Sequence, residues 1–208
     1  MMTMRSRLFT CAAFVLFLLA ALSTVGAKGA VAGGPVDMPG FAKVFTCTAC
    51  HGAGGNSLSD SMPSLSGAYP AYFKKQIQDY AAGKRSSPEM EPYAKMVLLL
   101  GVDEVAGYFA SQNRQPTPIK ISAAAVERGR TASAQCVICH GTDGRGDPAK
   151  LVPNLTGQPP GYLREQMLRF KADNRSPGDP ALAALKALMK TIPDETFTDL
   201  AAYYSSLR

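Results

Sequence analysis

With 208 residues, 46% of them hydrophobic, the chain can form one large domain or two small ones, and its formal charge is +6. Three of the cations, Arg5, Arg7 and Lys28, precede residue 33; from Gly33 onward 19 basic residues face 16 acidic ones, a net charge of +3. So small an excess excludes a nucleic-acid-binding surface as the meaning of the high isoelectric point. Residues 1–32 read as a secretory signal peptide, with Arg5 and Arg7 ahead of an apolar run at 8–22 and small residues after it. Cleavage is expected after Ala27 or Ala32. The run is 15 residues long, short for a membrane span. Cys11 lies inside it and leaves with the signal, so four of the five cysteines remain.

Those four fall in two copies of one pattern, Cys47-Thr48-Ala49-Cys50-His51 and Cys136-Val137-Ile138-Cys139-His140. C-x-x-C-H is the attachment signature of c-type haem. Two thiols three positions apart point the same way from a helical turn, so both can add to the vinyl groups of one porphyrin. The histidine that follows then reaches the iron as its fifth ligand. A zinc site, a redox dithiol or a disulfide pair would give no reason for histidine at the same place twice. The chain has two histidines in all, and both are there. We therefore expect two covalently bound haem c groups, on Cys47 with Cys50 and on Cys136 with Cys139, and irons held by His51 and His140. Their propionates bring the molecule close to neutrality. Haem of this kind is attached outside the bacterial cytoplasmic membrane, so the signal and the motifs agree on a periplasmic location.

Beyond the first motif come a glycine-rich loop at 52–56, a helix expected at 70–82 with Tyr72, Phe73, Gln76, Ile77 and Tyr80 at helical spacing, and a last helix at 102–112. Two prolines and no apolar periodicity mark a linker at 114–121, with the boundary near Asn113. The series then recurs: a glycine-rich loop at 141–146, a helix at 160–172, and a last helix at 193–207 whose Pro193, Asp194 and Glu195 suit a first turn. A shift of 89 to 90 residues superposes the halves, setting Pro63-Ser64-Leu65-Ser66-Gly67 on Pro153-Asn154-Leu155-Thr156-Gly157, and Arg85-Ser86 on Arg175-Ser176. No stretch alternates as a strand would. The expected fold is all-α, with one domain at 33–113 and a second at 114–208. Their net charges, −1 and +4, differ enough for different partners. Each unit has few large aliphatic side chains, so a covalent porphyrin completes its core, and the apoprotein is expected to be largely unfolded.

Because both histidines are used on one side of the irons, methionine is the obvious donor for the other. In the first half the candidates are Met38, Met62, Met90 and Met96. Met90 stands in a polar segment, Ser-Ser-Pro-Glu-Met-Glu-Pro, where a core role is hard to argue, whereas Met96 sits beside Val97 and three leucines and reads as packing. In the second half Met167 answers to Ile77 and reads as apolar filling, which leaves Met189.

On the two C-x-x-C-H-G motifs, the repeated P-x-L-x-G…Y…Q segment and the closing Tyr108-Phe109-Ala110-Ser111-Gln112 and Tyr203-Tyr204-Ser205-Ser206-Leu207, the chain resembles the diheme cytochromes c of the cytochrome c4 type. The likeness runs from about residue 40 to residue 207. It implies two cytochrome c domains in tandem, related by pseudo-twofold symmetry, with facing haem edges and His/Met ligation: His51 with Met90, and His140 with Met189. Met90 has the family's spacing to the last helix. Met189 departs from it, because aligning Tyr108 with Tyr203 sets Met90 opposite Leu185, one helical turn earlier. The resemblance also implies that Pro63 and Pro153 accept an imidazole N–H through their carbonyls, and Arg85 and Arg175 are expected to pair with propionates.

The function so implied is that of a periplasmic electron carrier, not an enzyme. Electrons would come from a quinol-oxidising complex or dehydrogenase and go to a terminal oxidase or reductase, with membrane association only through such partners. The alternatives are a haem enzyme, such as one like thiosulfate dehydrogenase, or a cytochrome subunit held tightly in a larger respiratory complex. Diheme peroxidases need a further histidine, and thiosulfate dehydrogenases a cysteine thiolate ligand; the exported chain has neither to spare.

Overall fold

Ten α-helices supply the regular structure of residues 33–208, the residues that the computed structural model describes; the expected signal peptide lies outside them. In the first half these are α1 (Phe41–Val44), α2 (Thr48–His51), α3 (Pro70–Ala81), α4 (Met90–Leu100) and α5 (Val102–Ser111). The second half has α6 (Ala123–Ala132), α7 (Val137–His140), α8 (Pro160–Lys171), α9 (Ala183–Thr191) and α10 (Asp194–Ser206). Among the described residues there is no strand, only two isolated antiparallel bridges, Arg85 with Arg175 and Asp147 with Val152. The fold is all-α, and no described helix is long and apolar enough to cross a membrane.

The four long helices expected from periodicity are present as α3, α5, α8 and α10. Three others of nine or more residues, and the single turn α1, were not expected. Met90 begins α4 where a polar loop was expected, because the Ser87 hydroxyl accepts the Met90 N–H at 3.3 Å and the Glu91 carboxylate accepts the Ser87 N–H at 3.3 Å. Side-chain acceptors of this kind satisfy donors that a helix start leaves unpaired. At α6 the Ser122 hydroxyl accepts from Ala125 N–H at 3.4 Å, and the alanines that follow are the best helix formers. An aspartate-capped turn at Pro180–Leu182 leads into α9.

Each half has its own core. Val44, Phe73, Ile77, Ala94, Val97, Val105, Tyr108 and Phe109 form the first, and Leu163, Met189, Phe197, Leu200, Ala201 and Tyr204 the second. The opening helix of each half packs on the closing one, α1 on α5 and α6 on α10. The second crossing is the tighter. A Cβ on Gly129 of α6 would lie 1.9 Å from the Asp199 carbonyl oxygen and 2.8 Å from Tyr203 Cβ, so only glycine fits there.

Residues 34–208 form a single compact unit, and the bonds across its middle are paired about a pseudo-twofold axis. Arg85 donates to Gln76 Oε1 at 2.8 Å, to Tyr162 OH at 2.9 Å and to Gln166 Oε1 at 2.8 Å. Arg175 donates to Gln166 Oε1 at 2.9 Å, to Tyr72 OH at 2.6 Å and to Gln76 Oε1 at 2.9 Å. Both guanidinium groups are buried, one stacked on Tyr80 and the other on Phe170. Arginines expected to face propionates thus have their terminal nitrogens taken by neutral oxygens of both halves. Gln158 clasps the Ser64 backbone through two bonds of 2.9 and 2.7 Å. The segment at 114–121 is irregular but clipped in place: Arg114 donates to the carbonyls of Ser66, Asn154 and Thr156.

Candidate haem centres

Each C-x-x-C-H motif forms a single helical turn, α2 or α7, ended by a glycine at positive φ, 76° at Gly52 and 72° at Gly141. A Cβ at Gly52 would stand 2.0 Å from the Asn56 carbonyl oxygen, so this sharp exit behind the histidine requires glycine. The turn puts Cys47 against the first core and Cys136 against the second, and leaves Cys50 and Cys139 exposed. All four thiols are free. Burial raises the pKa of Cys47 and of Cys136.

The histidines are held by the prolines expected to hold them. His51, only 4% exposed, directs Nδ1 at the Pro63 carbonyl at 2.8 Å, and His140 directs Nδ1 at the Pro153 carbonyl at 3.3 Å. A carbonyl only accepts, so Nδ1 carries the proton and Nε2 keeps its lone pair for a metal. Burial lowers both imidazole pKa values, opposed by these same bonds, which keeps the rings in the neutral, ligating form. The donor set therefore fits haem c: adjacent free thiols, an oriented imidazole, and exposed apolar side chains beside the motifs, with Phe45 62% and Ile138 85% exposed. A shared zinc ion does not fit, since among the described residues no three His, Cys, Asp or Glu side chains converge as metal ligands would.

The methionines are placed differently from one another. Met90 is half-buried at the first position of α4, outside the first core cluster. Met189 lies in the last turns of α9 at 7% exposure, as a member of the second core. Met38 packs against the first core and Met167 against the second, in keeping with a filling role for Met167. Sequence reasoning missed Tyr204, whose ring lies 6.2 Å from that of His140 and whose buried hydroxyl has no hydrogen-bond partner.

A cytochrome c-554(548) from Halomonas halodenitrificans is 41% identical over 78 residues, which span 38% of this chain and 90% of that protein. The chain belongs to the cytochrome c family. The cytochrome c family model matches residues 126–208 of this cytochrome. The crystal structure of reduced recombinant cytochrome c4 from Pseudomonas stutzeri superposes with a TM-score of 0.71 at 28% identity, covering 81% of this chain and 97% of that one. A thiosulfate dehydrogenase electron acceptor from Thiomonas intermedia is 32% identical over 146 residues, 65% of this chain and 66% of that protein. This cytochrome is thus of the diheme c4 type, an electron carrier with two tandem cytochrome c domains and two covalently bound haem c groups.

Proposed function

We propose that this diheme cytochrome works in the periplasm, shuttling electrons from a dehydrogenase or quinol-oxidising complex to a terminal oxidase or reductase, without catalysing a reaction of its own. In this reading the domains divide at 113/114, residues 1–32 direct export, and the haems are attached at Cys47 with Cys50 and at Cys136 with Cys139. His51 and Met90 then close the first iron, and His140 binds the second. When bound, haem supplies one-electron chemistry. The chain's part is to hold it still.

The observation that carries the proposal is the restraint of both imidazoles, each pinned by a proline carbonyl and set on a turn locked by a core cysteine. A ligand already oriented has little to rearrange when the metal changes charge, which is the condition for fast electron transfer. The paired arginine bonds hold the two halves as one body and so preserve the distance between their sites. The likeness to an electron acceptor of thiosulfate dehydrogenase makes a sulfur-oxidising dehydrogenase the first donor to try.

The test is anaerobic stopped-flow spectroscopy of the holoprotein. A thiosulfate dehydrogenase with its substrate should reduce it within its catalytic cycle, and membranes containing a terminal oxidase should reoxidise it. Thiosulfate alone should leave it oxidised. Turnover of thiosulfate by the isolated protein, or failure of any dehydrogenase to reduce it, would reject the carrier reading. Cell fractionation tests the location.

A further inference from the structure

The two halves differ where the sixth iron ligand should be. Their closing helices correspond at a shift of 95 residues: Gly67 N–H donates to the Phe109 carbonyl at 2.8 Å and Gly157 N–H to the Tyr204 carbonyl at 3.2 Å, and Val105, Ala106 and Phe109 are buried like Leu200, Ala201 and Tyr204. Carried back along the chain, that shift sets Met90 opposite Leu185 and Ala94 opposite Met189. The preceding helices can instead be matched by their own burial. Then Ala94 and Val97 of α4 fall on Lys186 and Met189 of α9, at a shift of 92 residues, and Met90 lies opposite Leu182.

Both registers agree on two points. Met189 occupies the place of a residue sealed in the first core, either Ala94 at 0% or Val97 at 2% exposure. The residue in the place of Met90 is a leucine. Met189 is 7% exposed and belongs to the second core cluster with Leu163, Phe197 and Leu200. Three other possible donors of the second half are engaged elsewhere. Met167 packs against the same core, and its counterpart Ile77 is a core residue of the first half. The buried Lys186 amine is bound by Asp173 and by the Ser176 carbonyl, and Lys171 by the Ile192 carbonyl and Asp194.

We infer that the second haem has no protein ligand opposite His140, that leucine faces its iron there, and that this face takes a small uncharged diatomic molecule of the carbon monoxide and nitric oxide class. A leucine-lined face offers neither charge nor a hydrogen bond, which suits such a molecule and disfavours an anion. The pairing of His140 with Met189 implied by the resemblance gives way to a closed first haem and an open second one. The inference rests on haem attachment at both motifs, and the test separates the two.

Mass spectrometry of the holoprotein first counts the haems; fewer than two ends the attachment reading instead. With two present, carbon monoxide titration of the reduced protein should give about one equivalent per molecule. The far-red band of methionine sulfur on ferric haem should have about half the intensity expected for two such ligands. Met90→Leu, which makes the first half resemble the second, should abolish that band and raise uptake to about two equivalents. Met189→Leu should change neither. No carbon monoxide uptake by the wild type, or loss of half the band in Met189→Leu, would overturn the inference; the wild-type titration decides even if a variant does not fold.

Discussion

Tyr204 and Phe109 occupy equivalent places in the two closing helices, and only the tyrosine brings a hydroxyl into a site without a partner for it. An unpaired buried hydroxyl costs about 1–3 kcal/mol. Tyr204→Phe should therefore raise the stability of the holoprotein by about 1 kcal/mol in chemical denaturation, since the first half shows that the space accepts phenylalanine; a loss of stability would reveal a partner for the hydroxyl. The proposed attachment residues were legible in the sequence because covalent chemistry demands neighbours in the chain. Two thioethers and an imidazole ligand must come from one helical turn, so Cys47, Cys50 and His51 declare themselves. Tyr204 declared nothing, because its isolation depends on what surrounds it.

Among the helices, the crossing of α6 and α10 is set by one missing side chain. Gly129→Ala would drive a methyl group into the Asp199 carbonyl and should destabilise by roughly 3 kcal/mol or more, whereas Gly107→Ala on α5, with open space around it, should be neutral or stabilise by about 0.5–1 kcal/mol. Thermal melts of the two variants side by side test this. The loop before α9 carries a pH-dependent contact: the Lys186 amine holds the Asp173 carboxyl below its ordinary value of 3.8. A carboxylate with a depressed folded pKa contributes stability above its unfolded value and loses it as pH falls through the folded one. Asp173→Asn should accordingly lose less melting temperature than the wild type between about pH 5 and pH 3. The helices α3, α5, α8 and α10 were readable because they carry apolar residues at helical spacing against a polar face. The runs that became α4, α6 and α9 are short and rich in alanine and leucine, and only capping signals at Ser87 and Ser122 would have exposed two of them.

At the scale of the whole molecule, the halves are joined by two buried arginines with mutually exchanged partners. Arg175→Ala would strip the guanidinium bond from Tyr72 and remove one of two donors from each of Gln76 and Gln166, whose oxygens still accept from Arg85, a loss of about 1–3 kcal/mol. Because that loss falls on the junction, calorimetry should show one unfolding transition in the wild type and two in the variant; a single shifted transition would mean that the halves are coupled elsewhere, for instance by Arg114. Local chemistry and local periodicity could be read from the order of residues alone: two C-x-x-C-H turns with their histidines, an internal repeat and an all-helical fold. Each of those depends on residues within a few positions of one another or on a pattern compared with its own copy. Which partners Arg85 and Arg175 take, and that Met189 joins the second core, depend on contacts between segments far apart in the chain. Only the packed structure decides these, because a side chain's neighbours across an interface are set by how helices stack and not by its position in the sequence.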